Sequence, residues 1–202
     1  TTRGLRLDAN LTAGAAAALS LSPLGESYAG DYRVRFDLWM NANGPFPEGG
    51  AGSSQHATAG VGTAGNRAQW TGSGSSADGY WFAVDGEGQA GDTSTGSGDY
   101  CAYGGTSLQN AGSGVYAAGT ESNAKGNLNA YYVGAFPGGA TAPALQQANY
   151  PHQTGVLADG AVGFVWREVI VARRGNEVDW AIDGIRLATI TNATFTASNV
   201  FV

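Results

Sequence analysis

Apolar and polar positions alternate along several short segments of this chain. In the segment 32–41, every second residue is apolar or aromatic, and the intervening positions are charged or polar apart from Trp39. Successive side chains of a β-strand point to opposite faces of a sheet, so this pattern predicts a strand with one apolar and one decorated face. The segment 80–85 repeats the pattern, and we expect two further strands at 57–62 and 100–103.

The last third of the chain carries the clearest strand signals. Arg-Gly-Asn-Glu at 174–177 predicts a tight turn, and Asp183-Gly184 is typical of a two-residue hairpin whose central residues take positive φ. The three strands separated by these turns are expected at 166–173, 178–182 and 185–190. Three antiparallel strands in succession form a β-meander.

Composition indicates a folded chain with many turns. Glycine accounts for 33 of 202 residues and charged residues for only 13%, whereas 43% of the residues are hydrophobic, which is more than disordered chains contain. We predict one all-β domain over residues 1–202, with a short helical turn near 129–133. The sequence lacks an initiator Met and ends on the apolar run 198–202. We therefore expect a piece of a longer polypeptide, whose last strand pairs with a sheet edge of the flanking chain or of a neighbouring subunit.

Charge and cysteine content restrict the partners of the domain. The net charge is −6 and the pI is about 4.7, and the pair Arg173-Arg174 is expected at a solvated turn. Nucleic-acid binding needs clustered basic residues, so no nucleic acid is expected as a partner. No segment has the apolar length of a membrane helix. The low lysine content and the small polar loops favour a secreted or cell-surface protein, and the single Cys101 excludes an intrachain disulfide.

The meander resembles a segment of laminin-G-like domains in the concanavalin A-like lectin/glucanase superfamily. The resemblance lies in Trp166, Arg-Gly-Asn at 174–176, Val-x-Trp-x-Ile-Asp-Gly at 178–184 and Leu-Ala-Thr at 187–189. It extends more loosely over about residues 31–202. It implies an all-β, two-sheet antiparallel jelly-roll sandwich of the concanavalin A-like type. The superfamily includes lectins, glycosidases, lyases and adhesion modules, so the fold leaves the function open.

Glucanases of this superfamily carry Glu-x-Asp-x-Glu, in which two glutamates face the sugar from one strand. Here the equivalent face reads Glu177, Asp179, Ala181 and Asp183. Alanine replaces the second glutamate, and Asp183 belongs to the predicted turn. We therefore expect no catalytic residues, and an enzyme such as a glycoside hydrolase or polysaccharide lyase is the third hypothesis.

Aromatic residues among polar neighbours favour carbohydrate binding, because an aromatic ring can stack on the apolar face of a sugar while carboxylates and amides bind its hydroxyls. The predicted ligand-binding residues are Trp39, Asp37, Asn41, Trp81, Asp85 and Tyr103. The opposing interpretation is that the tryptophans belong to the core of the sandwich. The first hypothesis is thus a non-catalytic extracellular module that binds a polysaccharide or glycan. The second is a structural or adhesive module that contacts neighbouring protein subunits.

A glycine-rich loop between two predicted strands is acidic. Calcium takes six to eight oxygen ligands from such loops. The candidate ligands are Asp85, Glu87, Asp92 and Asp99. Their spacing matches no EF-hand, and solvated loop acids are the alternative. Calcium is the one candidate cofactor.

Overall fold

The computed structural model describes residues 3–9, 18–42, 44–46, 56–71, 75–88 and 98–202. Over these residues the chain forms two antiparallel sheets packed face to face, which confirms the predicted two-sheet antiparallel sandwich. The strands are β1 (Tyr32–Trp39), β2 (His56–Thr63), β3 (Tyr80–Asp85), β4 (Tyr100–Gly104), β5 (Ser107–Leu108), β6 (Trp166–Arg174), β7 (Glu177–Ile182), β8 (Ile185–Ile190) and β9 (Asn199–Phe201).

The first sheet has four strands in the order β1-β6-β7-β8. The predicted meander is confirmed as β6 to β8. Gly175 (φ 57°) lies in the first turn, and Asp183 and Gly184 (φ 51° and 77°) form the second, as a type I′ turn requires. β1, from the opposite end of the chain, pairs antiparallel with β6 along its whole length. The early and late parts of the sequence are therefore neighbours in one sheet.

The second sheet has five strands in the order β5-β4-β3-β2-β9. The final strand β9 pairs with β2, and beyond it Leu21 and Val202 exchange two backbone hydrogen bonds of 2.8 and 3.1 Å. The apolar end of the sequence therefore pairs within this chain, contrary to the expected pairing with an edge outside it.

The main core lies between the two sheets. Phe82 of β3 stacks on Trp180 of β7 with ring centroids 5.2 Å apart, and both side chains are buried. The alternate residues of β1 that were predicted as its apolar face pack against this core. Burying both inner faces removes apolar surface from water and stabilises the sandwich.

In the part of the chain that the structure describes, helical structure is confined to short segments. Helix α1 spans Ala130–Ala135, where a helical turn was predicted, and the Asn129 side chain caps it by accepting a hydrogen bond from the Tyr131 amide. Helix α2 spans Ala144–Gln147, and a single 3₁₀ turn spans Ala111–Ser113. Within the described ranges, no helix has the length and apolar character needed to cross a bilayer.

The outer face of the five-stranded sheet is also covered. Trp81 lies over Gly60 of the neighbouring strand and stacks on Tyr103, with ring centroids 4.1 Å apart. Gln69 and Asp78, from the connection between β2 and β3, bond each other and Thr63 at 2.6 to 2.8 Å. This network fastens the connection to the end of β2.

Candidate functional site

The outer face of the four-stranded sheet carries the most exposed aromatic surface on any strand that the structure describes. Trp39 at the end of β1 is paired in register with Trp166 at the start of β6. Their ring centroids are 5.7 Å apart and their planes are inclined by 54°. Trp166 is 56% exposed. A large apolar side chain open to water on a regular strand marks a candidate binding surface.

A pair of carboxylates lies next to the two tryptophans on the same face. Asp37 and Glu168 are directly opposite each other, one alternate position along from the tryptophan pair. Like charges in such a position destabilise a sheet. Arg35 forms an ion pair with Glu168 and so compensates one of the two charges. We call Trp39, Trp166, Asp37 and Glu168 the tryptophan patch.

Trp39 is held in place from one side by a second, smaller core. It is partly buried and packs against a cluster that contains Ala42, Phe46, Ala142, Leu157, Ala161 and Phe164. Phe46 and Phe164 meet edge to face, with ring centroids 5.3 Å apart. Trp39 is therefore both a packing residue and a member of the patch, whereas Trp166 is mainly exposed.

Amide groups border the patch beyond the end of β1. Asn41 is exposed, and its Oδ1 accepts hydrogen bonds of 2.7 Å from both Gln146 and Gln153. Gln153 is buried and also donates to the backbone oxygen of Ala42 at 2.6 Å. These contacts fix the orientation of the Asn41 amide and direct its Nδ2 hydrogens away from its partners.

Trp81 and Tyr103, which were predicted to bind the ligand, are instead buried. They are 2% and 3% exposed, stack on each other and belong to a cluster against which Ala77 of the β2–β3 connection and Leu108 of β5 pack. The indole nitrogen of Trp81 donates to the Gly105 oxygen at 2.8 Å. Neither ring has a face open to a sugar. This corrects the expectation that they line a groove, because the outer face of their sheet is covered.

The acidic residues at the ends of β3 and β4 are buried. Asp85 accepts a hydrogen bond from the Glu87 amide at 2.9 Å, and Asp99 accepts one from the Asn127 amide at 2.8 Å. Burial raises the pKa of Asp85, and the nearby His56 partly offsets that rise. Asp85 is thus inaccessible to a glycan at the patch, which corrects its assignment as a sugar-binding residue.

The calcium prediction concerns these same acids. Asp92 lies outside the described residues. Among the residues that are described, no three or more His, Cys, Asp or Glu side chains gather in an arrangement suited to a metal ion. Calcium binding therefore stays a prediction.

The carboxylates of the meander have structural partners. Asp179 accepts hydrogen bonds from Arg174 at 2.5 Å and from Thr189 at 2.6 Å. Asp183 binds the Arg167 guanidinium at 2.8 Å and the Glu168 amide at 2.9 Å. These contacts tie strands and turns together.

The arginine pair at the first meander turn is also engaged. The Arg173 guanidinium lies 3.7 Å from the ring centroid of Phe195, and Arg174 bonds Asp179. The prediction that both arginines lie at a solvated turn is therefore correct only for the exposed part of Arg174, because Arg173 stacks on an aromatic ring.

Trp166 and Glu168 are the two members of the patch that the sequence did not predict as ligand-binding residues. One signal was present: β1 contains Asp-x-Trp and β6 contains Trp-x-Glu. When two such strands pair antiparallel in register, tryptophan meets tryptophan and carboxylate meets carboxylate. The register itself was not available from the pattern.

No family model, curated protein or solved structure matches this chain. The resemblance to laminin-G-like domains therefore stays a prediction, and the geometry of the patch has to support any functional conclusion.

Proposed function

We propose that this chain is a non-catalytic glycan-binding module and that its binding site is the tryptophan patch. The observation that carries the proposal is the pair formed by the exposed Trp166 and the partly buried Trp39, held on a regular sheet beside two carboxylates. Aromatic rings offer large, rigid apolar faces, and polar neighbours can bind the hydroxyl groups around a sugar ring. This lectin-like role agrees with the concanavalin A-like jelly roll and with the secreted or surface location proposed from the sequence.

The patch lies on two paired strands, and this rigid backbone favours binding without a rearrangement of the site. Trp39 and Asp37 belong to β1, and Trp166 and Glu168 belong to β6, which pairs with β1 along the full length of β1. Sites on paired strands keep their geometry better than sites on loops. The 54° inclination of the two rings favours a soluble, twisted glycan chain or a single sugar residue over a flat crystalline surface.

Affinity electrophoresis in gels that contain single soluble polysaccharides tests the proposal. We expect retardation by at least one polysaccharide, and we expect the Trp166→Ala variant to lose it. Trp166→Tyr should retain most of it, because the smaller ring still provides an aromatic face. No retardation on any polysaccharide, or equal retardation of the alanine variant, would overturn the proposal. Release of reducing sugar would favour an enzyme instead.

A structural or adhesive module is the second candidate function. The specific observation in its favour is a set of exposed leucines in the early part of the chain, including Leu5 at 73% and Leu24 at 99%. Exposed apolar side chains can contact a neighbouring subunit. Concentration-dependent association in analytical ultracentrifugation, removed by Leu24→Ser, would support this function.

A further inference from the structure

Asp37 is the carboxylate of the tryptophan patch that lacks a compensating charge. Its side chain is exposed and forms no hydrogen bond or ion pair with any described residue. The opposing Glu168, in contrast, is paired with Arg35. The patch therefore presents one excess negative charge beside the rings of Trp39 and Trp166.

The net charge of the whole chain has the same sign, and on the outer face of β1 the further basic residue Arg33 lies four positions away from Asp37. The net charge is −6, and the single lysine, Lys125, is buried. A polyanionic glycan would meet repulsion from the whole domain and from the patch. A cation would be attracted by Asp37 and by the negative faces of the two indole rings, which bind cations at short range.

On these grounds we propose that the tryptophan patch selects glycans whose sugar units carry protonated amino groups, such as glucosamine polymers. This inference rests on the proposed glycan-binding function and adds the class of sugar. Asp37 and Trp39 are two residues apart on one face of β1, a separation of about 6.8 Å. A sugar stacked on an indole ring can therefore bring an amino substituent to the Asp37 carboxylate.

Two matched probes test the inference by isothermal titration calorimetry. One is the hexamer of glucosamine and the other is the hexamer of N-acetylglucosamine, which has the same linkage but no charge. The titrations are made at about pH 5.5, about two units below the pKa of an amino group that has electron-withdrawing neighbours, such as the α-amino group of a peptide, so that the glucosamine units are mostly protonated. We expect the charged hexamer to bind roughly tenfold more tightly at low salt, from one charge pair at contact distance. We expect the preference to shrink in about 0.5 M NaCl.

Two variants test whether Asp37 is the source of the preference for the charged hexamer. Asp37→Asn should remove most of the tenfold difference in affinity between the two hexamers, even if the loss of a hydroxyl-binding carboxylate also weakens the binding of both. Glu177→Gln removes the same charge from the same sheet face at the far end of β6 and β7, about 22 Å from Asp37. It should keep the preference.

The outcomes separate this inference from the proposed function. Equal binding of both hexamers, or an undiminished preference in Asp37→Asn, would overturn the choice of amino sugars and leave a glycan-binding module in place. The same holds if neither hexamer binds but another polysaccharide retards the protein in gels. Failure of every glycan would overturn both.

Discussion

Trp39 and Trp166 face each other directly across two antiparallel strands, 5.7 Å apart between ring centroids, although they come from opposite ends of the chain. Their environments differ, since Trp39 packs against a small core and Trp166 is 56% exposed. In this pair, Trp39 is held by packing and Trp166 is accessible to solvent.

This asymmetry predicts different effects of the two alanine substitutions on stability. Trp39→Ala should lower the free energy of unfolding by about 2 kcal/mol, because it removes packing from the second core. Trp166→Ala should change it by less than about 1 kcal/mol, since it loses one exposed cross-strand contact. Urea unfolding followed by circular dichroism measures both. Equal losses would show that the two rings are equally part of the core.

Gly60 should tolerate no side chain. An added Cβ would lie 2.5 Å from the Trp81 Cβ and 2.6 Å from the Tyr80 backbone oxygen. We expect Gly60→Ala to lower the free energy of unfolding by about 1–3 kcal/mol, because the backbone must move to relieve the clash. Gly134→Ala is the control: Gly134 lies in α1 with nothing within 4 Å of an added Cβ. It should stabilise the protein by about 0.5–1 kcal/mol. A neutral Gly60→Ala would contradict the packing described for Trp81.

Asp78 should contribute stability that acid removes. Partial burial on its own would raise the pKa of this carboxyl, but hydrogen bonds from Thr63, the Ala64 amide and Gln69 lower the pKa below its ordinary value of 3.8. The contribution is present above about pH 4 and is lost as the pH falls through the pKa of the folded state. Asp78→Asn should therefore be less stable than the wild type at pH 7, and the difference should shrink below pH 4. Unfolding curves at several pH values measure this, and a constant difference would be contrary to expectation.

The contribution of Asp85 to stability should depend on pH in the direction opposite to that of Asp78. Burial raises its pKa above the ordinary value of 3.8, so folding favours the protonated form. Its contribution to stability is full below about pH 4 and is lost as the pH rises through the pKa of the folded state. We expect Asp85→Asn to gain stability over the wild type as the pH rises to 7. The melts should be made in EDTA, and repeated with calcium as the test of the predicted ion: if calcium binds here, it should stabilise the wild type more than the variant.

Cys101 should serve as a reporter of unfolding. The thiol is fully buried, and burial raises its pKa to about 11, with a partial offset from Lys125. A buried thiol that stays protonated reacts slowly with disulfide reagents. We expect labelling by Ellman's reagent to be negligible in the native protein and rapid in urea. Fast labelling under native conditions would mean that the outer layer of the five-stranded sheet opens easily.

The sequence alone determined the local elements. Period-two alternation located β1, β3 and the meander, because side-chain direction along a strand depends only on neighbouring residues. The chemistry of Asp183-Gly184 located a turn for the same reason, since positive φ at both residues is a local requirement.

The tertiary structure decided which faces are buried and which strands meet. Trp39 and Trp81 both lie on the polar face of the strand that the sequence predicts. Trp81 is nevertheless buried, whereas Trp39 is only partly buried. The difference arises because the segments that pack over each tryptophan come from distant parts of the chain. Likewise, the pairing of β1 with β6 joins the mirrored patterns Asp-x-Trp and Trp-x-Glu into one patch. Register between strands far apart in the chain is set by the packing of the whole sandwich, and no local pattern contains it.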